Sequence, residues 1–186
     1  MKKININMSE SQFKNLTQLC RNSTDEISGI MNIQLNNGEI FIVDIKLDDD
    51  DIIKSANSHE IIYNFKEYII KTVYEIAFSN CPIYIRFHTH PDNGLPNLSE
   101  TDIDNLKYIQ SLTKKVAKIN EKDCTKVIEG IVTNSEIAFY TYDLESNKEI
   151  RLPFFVDGIE KIPSIEKSIF QIFKESFREG SRKSRK

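Results

Sequence analysis

The sequence holds little cysteine: three in 186 residues, Cys20, Cys81 and Cys124, odd in number and with no Cys-x-x-Cys pair. That excludes a disulfide framework and a cysteine-built zinc knot. A thiol nucleophile at Cys81 is the weaker reading beside that of an ordinary buried free cysteine. Long apolar runs are also missing, and a bilayer needs about 20 such residues in a helix. Met1-Lys2-Lys3-Ile4-Asn5 runs into polar residues, unlike a secretory leader, so the expectation is an intracellular, cytoplasmic protein. No internal repeat and no interdomain linker interrupts the chain. The consecutive acids Asp48 to Asp51 have neither the alternating spacing nor the glycine of a calcium loop, and read as a solvated loop.

What is present describes one globular domain: 39% hydrophobic residues, 28% charged and a net charge of −3. Basic charge collects at the end. Arg178 to Lys186 carries five basic residues against Glu179, so the rest of the chain is more acidic than the net value. This tail reads as a solvated, disordered end, and the acidic body argues against nucleic acid as the main partner.

Hydrophobic periodicity gives the element order. A helix is expected over residues 9–21, with Ser9 and Gln12 as a capping box. Glu26 opens a strand in which Met31, Ile33 and Leu35 alternate with polar residues. Asn37-Gly38 makes a hairpin turn. The return strand, Glu39 to Lys46, is apolar enough for a central place in the sheet. A second helix should run from about Ser58 to Phe78, with His59 at its surface. After a strand ending near residue 88 comes a helix from Ser99 to about Asn120. Strands follow at Val127 to Thr133, Glu136 to Tyr142 and Lys148 to Val156. A last helix starts at Pro163, with Ile165, Ile169, Ile172, Phe173 and Phe177 on one face. The fold class is α/β of the α+β type: a single mixed sheet flanked by helices.

The chemistry concentrates in RFHTHPDNGLPNLSETDIDNL, residues 86–106. The apolar run Pro82 to Phe87 is β-branched and aromatic, hence a strand, and residues i and i+2 of a strand share a face. His88 and His90 therefore aim two imidazoles at one point, and Pro91 stops the strand. Ser99-x-x-Asp102 before the pattern Ile103, Leu106, Ile109, Leu112, Val116 is a helix N-terminus. A carboxylate is favoured there. If that turn folds back over the strand end, His88, His90 and Asp102 form the two-nitrogen, one-oxygen set of an open catalytic zinc site. Thr89 faces the other way and reads as structural.

In this order the residues resemble the JAMM (MPN+) metalloprotease signature, His-x-His-Pro followed by Ser-x-x-Asp. Glu26-Ile27-Ser28-Gly29 is similar to the upstream Glu-x-x-Gly of that family. The loop Asp92 to Leu98 is one residue longer than the family commonly has. The resemblance implies an MPN/JAB-like, cytidine-deaminase-like architecture over residues 1–177, with 178–186 as the tail. It implies Zn2+ on His88, His90 and Asp102, Glu26 as general base, and Ser99 as oxyanion donor. Spacing by itself leaves Glu39, Glu60 and Glu75 open as alternative bases. It further implies hydrolysis of a peptide or isopeptide bond at the C-terminal tail of a ubiquitin-like or sulfur-carrier protein. The short segment Glu121 to Lys126 leaves little material to grip ubiquitin, which suits a compact prokaryotic-type member. A homodimer is left open. Rival readings are a non-catalytic scaffold of the same fold and a RadC-like nucleic-acid-associated protein; a barrel amidohydrolase would need a longer chain.

Overall fold

A computed structural model describes residues 4–58, 60–78, 82–91, 95–120 and 125–162. The expected last helix from Pro163, the basic tail, His59, Cys81, Cys124 and residues 92–94 of the loop before Ser99 lie outside the described residues. The chain runs β1 (Ile6–Met8), α1 (Glu10–Asn22), β2 (Ser28–Asn36), β3 (Glu39–Leu47), β4 (Ile53–Ala56), β5 (Ile61–Tyr63), α2 (Phe65–Phe78) and β6 (Ile83–Thr89). It continues with α3 (Glu100–Asn120), β7 (Lys126–Val132), β8 (Ile137–Asp143), β9 (Lys148–Leu152), β10 (Phe154–Val156) and β11 (Ile159–Glu160). The result is a large mixed sheet with three helices among the described residues. None of these helices is long and apolar enough to cross a membrane.

Nine strands form the main sheet in the order β11-β10-β1-β3-β2-β6-β7-β8-β9. The strand β9 is one end of this order and β10 stands next to the other, yet only Pro153 separates them. The sheet must therefore curl until its ends nearly meet. Proline has no N–H to continue a ladder, so the chain changes sheet edge at that residue. This is why the single strand expected from Lys148 to Val156 is two. The concave side wraps α1: Leu16 and Cys20 are buried with Ile6, Met31, Phe87, Phe139 and Phe154. The Ser9 and Gln12 capping box starts that helix as the sequence indicates. On the convex side α2 and α3 cover a second core, in which Leu106 and Ile109 meet Val127, Ile131 and Tyr140. Alternation along β6 feeds both cores, with Ile85 and Phe87 in one and Tyr84 in the other.

The strand β3 has the central place expected of it, with Phe41 and Val43 exposed on its uncovered face, at 36% and 52%. Two further expectations change. Residues 58 and 60–63 are not helical. Ile61-Ile62-Tyr63 is β-branched and aromatic, pairs antiparallel with β4, and delays α2 to Phe65. The acidic run is not uniformly solvated either. The Asp48 side chain is only 1% exposed and meets the Arg86 guanidinium, itself 3% exposed, at 2.6 Å. Ser28 donates to the same carboxylate at 2.7 Å, and Lys71 approaches it at 3.6 Å. The guanidinium lies over the rings of Tyr68, at 4.5 Å, and Tyr63, at 5.4 Å.

Removing one partner of a buried ion pair strands the other charge, at a cost of about 3–5 kcal/mol. Asp48→Ala is therefore expected to lower unfolding stability by that amount in urea titrations. Asp50→Ala, at an exposed position of the same run, should change it by less than about 0.5 kcal/mol.

Candidate metal centre

Strand register builds the site. The strands β2 and β6 pair antiparallel with Ser28 opposite His88. Carrying that register two residues past the ladder sets Glu26 beside His90. The join is fixed by Thr89, whose N–H donates to the Ile27 carbonyl at 2.8 Å and whose hydroxyl accepts the Ile27 N–H at 2.8 Å. Thr89 is fully buried, as its structural reading requires. The Glu26 N–H donates to the Asn57 carbonyl at 2.7 Å. Gly29 lies so close to the Lys46 carbonyl and the Phe87 ring that a Cβ would collide with both. Only glycine lets β2 sit at this depth.

The other half of the site comes from the start of α3. Ser99 acts as N-cap: its hydroxyl accepts the Asp102 N–H at 3.2 Å. The Asp102 Oδ2 accepts the Ser99 N–H at 2.8 Å and its O–H at 2.7 Å. This reciprocal cap turns the remaining oxygen, Oδ1, toward His88, 3.3 Å from its Nε2. The loop ahead of the helix is pinned by Tyr140, whose hydroxyl donates to the Pro96 carbonyl at 2.7 Å.

His88 Nε2 and His90 Nε2 stand 3.1 Å apart. With Asp102 Oδ1 they make a group of three donor atoms able to hold one metal ion. All three lie within 4.8 Å of one another, and the two separations from His88 Nε2, 3.1 and 3.3 Å, match the little more than 3 Å between donors of a cation bonded tetrahedrally at about 2.0–2.1 Å. Glu26 Oε1 lies 4.0 Å from His90 Nε2, and its side chain is 7% exposed. Glu26, His88, His90, Ser99 and Asp102 all line one cleft of about 380 Å³. Of the alternative bases, Glu39 accepts from Asn5 and Glu75 from Tyr84, away from the cleft. Glu60 lines the cleft wall together with Ser58, Ile61 and Tyr63, from the β4–β5 hairpin.

One neighbour escaped the sequence reading. His88 Nδ1 lies 2.9 Å from Glu129 Oε1 on β7. The signal is there in retrospect: Glu129 is the one charged residue inside Val127 to Val132, at an inward position of an apolar strand. Burial opposes charge on His88, but its hydrogen bonds to the Asp102 and Glu129 carboxylates outweigh it and raise the imidazole from 6.5 to about 10. Burial likewise opposes charge on Asp102, and the bonds to His88 and Ser99 win, holding its carboxyl far below the usual range. Cys20, buried nearby, has its thiol pushed up to about 11 by burial and belongs to the core. No family model matches the chain, and no curated protein matches it.

Two outcomes are expected. Purified protein supplied with zinc should carry about one ion per chain by elemental mass spectrometry, and Asp102→Ala should carry none. For metal-free protein the raised His88 value has a definite sign. Its contribution to stability is full below about 6.5 and is lost as pH climbs through about 10. Melting temperatures of chelator-treated protein should fall over that window, and fall less in His88→Gln.

Proposed function

We propose that the chain is a zinc-dependent peptidase or isopeptidase of the JAMM (MPN+) type, with an MPN/JAB-like fold. The observation that carries this reading is the meeting of His88 Nε2, His90 Nε2 and Asp102 Oδ1 at one end of a cleft that also holds Glu26 and Ser99. These five residues come from two distant parts of the sequence, Glu26 and residues 88–102, and they are the positions that the motif resemblance marks.

His88, His90 and Asp102 would hold the ion. A bound zinc supplies Lewis acidity, which activates water at neutral pH and polarises a carbonyl. Glu26 takes the proton of the attacking water and returns it to the leaving amine. Its carboxylate is held close to His90 by the β2–β6 register and is largely shielded from solvent. Ser99 offers its hydroxyl to the oxyanion that develops on the scissile carbonyl. For that the O–H turns from Asp102 Oδ2, which keeps the Ser99 N–H as a partner.

The cleft is walled by the short β4–β5 hairpin and by the first turn of α3, through Thr101 and Asn105. The substrate we assign, on the motif resemblance, is the C-terminal tail of a ubiquitin-like or sulfur-carrier protein, joined through a peptide or isopeptide bond.

Glu26→Gln is expected to keep its zinc and to lose about 10²–10⁴-fold in turnover of a ubiquitin-like fusion, followed by gel and mass spectrometry. Full turnover by that variant would remove Glu26 from the mechanism. Zinc binding by the wild type without hydrolysis of any such fusion would favour the scaffold reading.

A further inference from the structure

We infer that Glu129 is the positioning carboxylate of the metal centre, holding the His88 ring so that Nε2 is the nitrogen offered to the ion. The inference rests on the metal-centre reading above and adds to it a residue that the motif does not contain.

The argument is one of geometry. His88 has two ring nitrogens pointing to opposite sides. Nε2 looks toward His90 and Asp102, at 3.1 and 3.3 Å. Nδ1 looks at Glu129 Oε1, at 2.9 Å. An ionised carboxylate only accepts hydrogen bonds, so Nδ1 bears a proton whether the ring is charged or neutral. While Glu129 holds that proton, a ring that gives up its other one carries its lone pair on Nε2, on the side of the other two donors. Rotating the ring about its bond to Cβ would break the bond to Glu129.

The placement of Glu129 is itself fixed. Parallel pairing of β6 with β7 sets Arg86 opposite Glu129 and His88 opposite Ile131. Glu129 therefore lies diagonally across from His88 on the convex face. The next residue, Gly130, packs so tightly on Phe139 and Phe87 that a Cβ would collide with the Phe139 ring. That contact pins β7 in depth. Arg86, the nearest cation on the neighbouring strand, is committed to Asp48 at 2.6 Å. Glu129 is left to His88, with its side chain 13% exposed.

The experiment is a zinc competition titration against a chromophoric chelator on wild type, Glu129→Gln and Glu129→Ala. Near-UV circular dichroism of the metal-free proteins runs alongside. Loss of such a partner typically costs about 10–100-fold in metal affinity. Glu129→Ala should show that loss. Glu129→Gln, whose side-chain carbonyl can still accept the Nδ1 proton, should recover most of it. A residue that served only the fold would change the spectra of the metal-free proteins and show no such recovery. Zinc-loaded wild type should also give a His88 signal for Nδ1–H, with Nε2 bonded to metal, in long-range ¹H–¹⁵N spectra. This arm needs no variant to fold. Equal affinity in all three proteins, or a His88 protonated on Nε2, overturns the role of Glu129 and leaves the metal centre standing. No zinc on the wild type overturns both.

Discussion

The buried contact between Arg86 and Asp48 is the constraint on which the rest of the centre depends. An arginine on a fully covered strand face is costly to desolvate, and here several groups share that cost. Asp48 supplies the opposite charge, Ser28 and Lys71 hold Asp48, and the rings of Tyr63 and Tyr68 cover the guanidinium. These partners come from β2, the segment after β3, β5 and α2. One ion pair therefore joins the sheet, the hairpin wall of the cleft and a covering helix. His88 stands two residues further along the same strand face. Its position is thus referred to a rigid, polar hub and not to a loosely packed apolar layer.

The charges nearest the centre are arranged in a chain of obligations. Ser99 caps α3 and, in the same act, occupies one oxygen of Asp102, so that only the other can face the histidines. His88 is clasped from both sides by carboxylates, and a metal ion held there would take the place of the proton on Nε2. The local structure of a helix start and the chemistry of a ligand set are here the same three hydrogen bonds.

Much of this was legible in the sequence, and the failures have physical causes. The i, i+2 spacing of His88 and His90 needs only strand geometry, and Ser99 with Asp102 needs only helix capping; both are local rules. Glu26 was placed by resemblance, because its closeness to His90 follows from a pairing register between strands sixty residues apart. Glu129 was missed for a related reason: the lone charge inside an apolar strand is visible locally, but the ring that it meets is on the next strand, about forty residues earlier. The strand β5 was read as helix because Ile62 and Phe65 continue the period of α2. Asp48 was read as solvent-facing with its three acidic neighbours, since a run of like charges hides the one member that has a buried partner. Among the described residues the short β1 went unseen, since three residues carry no period.

That short strand has a consequence for how the protein is made. The strand β1 lies between β3 and β10, parallel to both, with Ile6 facing Ile40 on one side and Phe154 on the other. The first partner leaves the ribosome soon after β1; the second follows almost the whole described chain later. At about 5–20 residues per second that interval lasts on the order of ten seconds. Through it the edge of β1 that will meet β10 is open, next to an apolar concave face whose Phe154 has yet to arrive. The curl of the sheet is thus completed last, by strands from opposite ends of the described chain.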